Sequence, residues 1–128
     1  MKFLLDTHTF MWIEEKNPAL SPRVQKFVDD RQNDLFLSYV SIWEIQIKLS
    51  IGKLDSKSPL NERVILAQTT TQLQLLPIKL EHIYMLNELP MHHRDPFDRL
   101  LIAQSIYEGI PLISKDEKFG AYDLQLVW

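Results

Sequence analysis

The chain has no cysteine, only three glycines among 128 residues, and no apolar run near the length of a membrane span. Without cysteine there is no disulfide scaffold, thiolate metal site, iron–sulfur cluster or cysteine nucleophile, so any metal must be held by oxygen or imidazole. The sequence has no G-x-G-x-x-G, G-x-x-x-x-G-K-[ST] or G-x-S-x-G, which removes phosphate-cradling loops and a nucleotide-cofactor enzyme from consideration. Crossing a bilayer takes ~20 consecutive apolar residues, so a membrane protein is not expected. Met1-Lys2 leads directly into apolar residues, without the cationic segment, apolar core and small-residue cleavage site of a signal peptide, and the expected location is the cytoplasm.

What is present fits one globular domain over residues 1–128, with 45% hydrophobic and 24% charged residues and no repeat or low-complexity segment. The net charge is −3, which argues against a nucleic-acid partner if taken as an average. The average conceals a possible partition. Setting aside four acids as metal ligands leaves 13 acidic residues against 14 Lys and Arg, enough for local basic patches such as Lys48/Lys53/Lys57 or Arg94/Arg99.

Short apolar runs alternate with segments of helical spacing. Lys2–Asp6, Leu35–Ser38, Leu73–Pro77, Pro111–Ser114 and Leu124–Val127 read as strands. Helices are expected over Thr7–Glu14, from Ser21-Pro22 to about Arg31, from Ser41 to before Gly52, and over Leu60–Thr70, Leu80–Leu89 and Asp95–Glu108. The strands are continuously apolar rather than alternating, which predicts a parallel sheet covered by helices on both faces. Ligands of such sheets bind outside the carboxyl ends of the strands.

Four carboxylates fall at such places. Asp6 follows Lys2-Phe3-Leu4-Leu5, Asp116 follows Leu112-Ile113-Ser114-Lys115, and Glu44 and Asp98 lie near helix starts. Gathered together they repel one another and raise one another's pKa values, an arrangement that a divalent cation relieves. Each also has a plainer reading. Asp6 can cap the first helix, Asp116 can belong to a turn, and Glu44 can be an exposed helix residue. In Asp95-Pro96-Phe97-Asp98, Asp95 reads as an N-cap before Pro96 rather than as a direct ligand. Glu44 sits in the apolar context Val40-Ser41-Ile42-Trp43-Glu44-Ile45, which predicts a partly enclosed cleft. Ser41, Ser114 and Thr7 are candidates to orient carboxylates by hydrogen bonds. His92-His93 lack helical zinc spacing and read as part of the loop before Asp95, while His8 reads as a local packing residue. Trp12, Trp43 and Phe97 read as core or partner-contact residues.

In order along the chain, Leu4-Leu5-Asp6-Thr7-His8, Ser41-Ile42-Trp43-Glu44-Ile45, His93-Arg94-Asp95-Pro96-Phe97-Asp98-Arg99-Leu100-Leu101-Ile102-Ala103-Gln104 and Leu112-Ile113-Ser114-Lys115-Asp116 resemble the motifs of PIN-domain ribonucleases, especially the VapC-like toxins of prokaryotic toxin–antitoxin pairs. The resemblance implies a three-layer α/β fold with a central five-stranded parallel sheet flanked by helices. It also implies a metal-dependent endoribonuclease using Mg²⁺ or Mn²⁺. Its catalytic and metal-binding acids correspond to Asp6, Glu44, Asp98 and Asp116. Asp95, Ser114 and Thr7 are accessory, and Arg99 and Arg94 are candidates for substrate contact. A homodimer, a cognate antitoxin whose tail covers the cleft, and tRNA or other structured RNA as target follow from the resemblance alone. A catalytically inactive interaction module and a structure-specific DNA nuclease stand as alternatives. A phospho-acceptor receiver domain fits less well, because Asp6 is unpaired and Leu73–Pro77 ends without an acid.

Overall fold

The computed structural model describes residues 1–128. Five strands, β1 (Lys2–Leu5), β2 (Asp34–Ser38), β3 (Gln74–Leu76), β4 (Leu112–Ile113) and β5 (Leu126–Val127), form one sheet in the order β3-β2-β1-β4-β5. Every pairing is parallel, as the apolar runs predicted. Six helices connect them: α1 (Thr7–Glu15), α2 (Pro22–Asp29), α3 (Tyr39–Ser50), α4 (Leu60–Thr70), α5 (Leu80–Met85) and α6 (Pro96–Glu108).

The central strand explains the layering. Successive side chains of a strand point to opposite faces. Phe3 and Leu5 enter one apolar core with Phe10, Val24 and Val64 from α1, α2 and α4, while Leu4 enters the other with Leu101, Ile102 and Phe119. Both faces of β1 are therefore dry, and full burial of each Leu or Phe contributes roughly 1.5–3 kcal/mol.

Strand order fixes where a site can form. The chain steps outward from β1 to β2 and β3, then returns to place β4 on the other side of β1. This reversal opens a crevice beyond the carboxyl ends of β1 and β4, the usual ligand position of open α/β sheets. The register Leu5↔Ile113 brings the residues that follow each strand, Asp6 and Ser114, side by side.

Several boundaries differ from the expected ones for local reasons. Helix α3 starts at Tyr39, not Ser41, because Ser38 ends β2 and itself caps the helix, its Oγ accepting from Val40 N at 3.0 Å. The helix expected over Leu80–Leu89 is α5 followed by a 3₁₀ turn at Leu86–Glu88, and α2 stops at Asp29 rather than Arg31. Helix α6 keeps both expected ends: Asp95 caps its start and Gly109 closes it at φ 65°, a left-handed conformation that glycine adopts without a Cβ clash.

Candidate metal centre

Asp6 is the first residue beyond β1 and the N-cap of α1, with Oδ1 accepting from Thr9 N at 2.8 Å. Its Oδ2 accepts from Ser114 Oγ at 2.5 Å, and Ser114 Oγ in turn accepts from Asp116 N at 3.0 Å. One buried hydroxyl thus ties the acid after β1 to the acid after β4. Burial pushes the Asp6 carboxyl above its ordinary range, against the opposing effect of the Ser114 and Thr9 hydrogen bonds. Replacing Ser114 by Ala removes the bond that aims Asp6, and divalent-cation affinity, read by calorimetric titration, is expected to fall about 10–100-fold. Unchanged affinity in the folded variant would show that Asp6 needs no such support.

Glu44 projects from α3 and is buried at 6% exposure. Thr7 Oγ1 donates to its Oε1 at 2.7 Å, and Lys48, one helical turn on, donates to its Oε2 at 2.8 Å. Ser41 Oγ lies 3.0 Å from the Thr7 hydroxyl and completes this small network. Lys48, expected in a basic patch, is the i,i+4 cation that pairs with Glu44.

Asp98 lies in the first turn of α6, where Asp95 Oδ1 accepts from Phe97 N at 2.8 Å and from Asp98 N at 3.2 Å. Asp95 therefore acts as the cap. Asp98 is pushed up to about 7, first by burial and then by the charges of Asp95, Glu44, Asp6 and Asp116. That shift is the electrostatic signature of acids from β1, α3, α6 and the segment after β4 facing one crevice. Asp116 caps the 3₁₀ turn Glu117–Ala121 with Oδ1, leaving Oδ2 turned toward Asp98 and His93.

His93 is the site residue that sequence reasoning missed. The two adjacent histidines of the loop before α6 diverge. His92 is exposed, its ring meeting Tyr122 edge-on at 5.3 Å, whereas His93 Nε2 stands 3.1 Å from Asp98 Oδ2 and 3.6 Å from Asp116 Oδ2. Ligand atoms of His93, Asp98 and Asp116 all lie within 4.8 Å of one another. No spacing rule in a single sequence finds this set, because a turn of loop brings the histidine over the helix start. His8 is exposed with its ring 6.1 Å from that of Trp12.

The two arginines separate as well. Arg94 is exposed. Arg99 turns away from the crevice and braces the segment before α6: Nη1 donates to Pro90 O at 2.9 Å and His93 O at 3.4 Å, and Nη2 to Leu86 O at 3.1 Å and Leu89 O at 3.4 Å. Its guanidinium is thus engaged by backbone carbonyls of that segment. Trp43, expected in a core or contact surface, is 54% exposed and meets Phe97 edge-on at 5.0 Å.

The donor set fits a divalent cation: several carboxylate oxygens, one of them on an acid whose proton affinity burial and then neighbouring charges have raised, and a buried imidazole nitrogen without a hydrogen-bond partner. An α/β crevice at the switch point, lined by acids from four separate segments, defines a candidate metal-binding hydrolase site.

The PIN domain model matches residues 3–124, and the chain belongs to this family. Solved structures with the same fold include VapBC2 from Rickettsia felis bound to a DNA fragment from their promoter, at 18% identity and TM-score 0.76, covering 99% of this chain and 98% of that one. FitAcB from Neisseria gonorrhoeae is similar at 17% identity and TM-score 0.65, covering 98% and 96%. VapBC-5 from Mycobacterium tuberculosis, a member of the VapBC family of toxin–antitoxin systems, is similar at 16% identity and TM-score 0.60, covering 98% and 97%. No curated protein sequence matches the chain.

Proposed function

We propose that this protein is a metal-dependent endoribonuclease that hydrolyses phosphodiester bonds of tRNA or another structured RNA, and that it acts in the cytoplasm as the toxin of a toxin–antitoxin pair. The observation that carries the reading is the convergence of Asp6, Asp98 and Asp116 at the β1/β4 crevice, where the Ser114 hydroxyl links Asp6 to the Asp116 amide and burial, with the surrounding acids, pushes Asp98 up to about 7. These acids would hold Mg²⁺ or Mn²⁺, and the chemistry such an ion would supply is positive charge beside the scissile phosphate and a more acidic water.

The protein's own groups then have distinct tasks. Asp6, Glu44, Asp98 and Asp116 form the catalytic and metal-binding set. Ser114 and Thr7 fix the orientation of Asp6 and Glu44 through their hydroxyls. A cation held there would favour the ionised form of Asp98, against the burial and neighbouring charges that raise its pKa. Lys48 offsets Glu44, which lowers the net negative charge that an incoming phosphate meets. Arg94, an exposed cation next in sequence to His93, is the candidate to meet backbone phosphate.

Family membership and the toxin–antitoxin complexes among the structural neighbours support a cognate antitoxin as protein partner; the homodimer is proposed from the sequence resemblance alone. The substrate test is direct. Partner-free protein is incubated with matched RNA and DNA oligonucleotides in Mn²⁺. RNA cleavage alone is expected. Cleavage of DNA alone would make it a DNA nuclease, and cleavage of neither by folded, metal-loaded protein would favour a binding module.

A further inference from the structure

We propose that His93 Nε2 is a direct ligand of a divalent cation shared with Asp98 and Asp116, which makes this a mixed nitrogen and oxygen site suited to a transition-metal ion rather than to Mg²⁺. The inference rests on the proposed metal-dependent reading and identifies its donor set more narrowly.

The imidazole is held in place from several directions. Its side chain is only 10% exposed, and its ring lies over Phe119 with centroids 5.6 Å apart. The backbone is fixed independently, with His93 N donating to Tyr122 Oη at 2.7 Å and His93 O accepting from Arg99 Nη1 at 3.4 Å. Tyr122 Oη and Arg99 Nη1 both also donate to Pro90 O at 2.9 Å, so the turn carrying the histidine is anchored on both sides.

This anchoring leaves Nε2 in an unusual state. It is buried and has no hydrogen-bond partner, although Asp98 Oδ2 is 3.1 Å away, because that oxygen lies off the direction in which the ring nitrogen bonds. A buried nitrogen that served only packing would turn to a partner or to water; this one is aimed into a group of acids. Unpaired buried polar atoms in native proteins are rare, and a bound ion is one of the few arrangements that accounts for them. One atom from each of His93, Asp98 and Asp116 falls within 4.8 Å of the others, a spacing that a single cation can bridge. Asp6 and Glu44, whose oxygens are oriented by Thr9, Ser114, Thr7 and Lys48, complete the acidic set beside this group.

The other ring nitrogen permits the assignment. Nδ1 accepts from Asp95 N at 3.3 Å, a long bond to an exposed residue within reach of water. When Nε2 takes the cation, the ring proton resides on Nδ1 and water replaces the ring as acceptor for the Asp95 amide. Imidazole suits first-row transition metals, whereas Mg²⁺ prefers oxygen donors and keeps several waters. Exchange of His93 for an oxygen donor is therefore expected to weaken Mn²⁺ more than Mg²⁺.

The test uses the full chain, freed of any partner and loaded with Mn²⁺ as probe. Pulsed electron paramagnetic resonance of the bound Mn²⁺ is expected to show coupling to a directly ligated ¹⁴N, replaced by a ¹⁵N signal in wild-type protein grown with labelled histidine. In His93→Gln the nitrogen signal is expected to vanish and Mn²⁺ affinity to fall at least about tenfold, with a smaller change for Mg²⁺. The isotope arm needs no substitution and shows whether a histidine is ligated; because the chain has four histidines, His93→Gln, or His93→Asn should that variant fail to fold, assigns the signal to His93. Mn²⁺ bound without nitrogen coupling would overturn the histidine assignment and leave the carboxylate nuclease reading standing. Absence of Mn²⁺ binding by wild-type protein would overturn both.

Discussion

Asp98→Asn is expected to lower cleavage more than about a hundredfold and, at the same time, to make the metal-free protein more stable. The activity estimate follows from the 10–100-fold losses typical when a mere supporting partner of a metal ligand is removed; loss of the ligand itself exceeds them. The stability change has the opposite sign. The folded state holds the Asp98 proton up to about pH 7, while the unfolded chain releases it near 3.8. Between those values the folded state binds more protons, so stability falls as pH rises through the window and the full penalty applies above about pH 7. Allowing for a side chain that is 25% exposed, the penalty is roughly 2 kcal/mol, and Asn does not carry it. Urea unfolding in EDTA at pH 8 is expected to show Asp98→Asn as more stable than wild type by about that amount, with the gap closing as pH falls toward 4. Addition of Mn²⁺ reverses the order, since only wild type gains the full binding energy. Equal metal-free stability at pH 8 and pH 4 would contradict the electrostatic account of the crevice.

Arg99→Met is expected to destabilise the fold by about 2–3 kcal/mol, because hydrogen bonds to a charged donor contribute more than neutral ones and several backbone carbonyls lose their partner together. The carbonyls belong to Leu86, Leu89, Pro90 and His93, all in the segment that leads to α6. Amide hydrogen exchange is expected to accelerate selectively over residues 86–95, and cleavage to fall with it as His93 and Asp98 lose their relative placement. A variant that kept wild-type stability and exchange but showed a raised KM would return Arg99 to the substrate-contact role suggested by its sequence position.

Arg99 also marks the boundary of what a single sequence discloses. The alternation of apolar runs with Pro- and Gly-punctuated helices was enough for five parallel strands, because Pro96, Gly109 and the Ser21-Pro22 pair act through local backbone geometry. Asp6, Ser114 and Asp116 were legible for a related reason: a polar residue just beyond an apolar strand of a parallel sheet has few other places to point. The local rule failed at Ser38, which serves as both strand end and helix cap and so moved the start of α3. It failed more completely for His93, Lys48 and Arg99, whose roles depend on which elements face them across space. His93 meets Asp116, 23 positions further along the chain, only because β4 returns beside β1. Lys48 becomes part of the cleft only because Glu44 is drawn inward by Thr7. Arg99 faces backward over the loop rather than outward to solvent, a direction set by the anchoring of residues 86–93.

The central claim is that the acids at the β1/β4 crevice form the active site of a metal-dependent ribonuclease, and cleavage of a total tRNA pool tests it most directly. Purified, partner-free protein is incubated with Mg²⁺ or Mn²⁺ beside an EDTA control and beside Asp6→Asn, whose folding is verified independently. Discrete RNA fragments that disappear in both controls are the predicted result. Fragments that persist in EDTA, or that folded Asp6→Asn produces at the wild-type rate, would contradict the account.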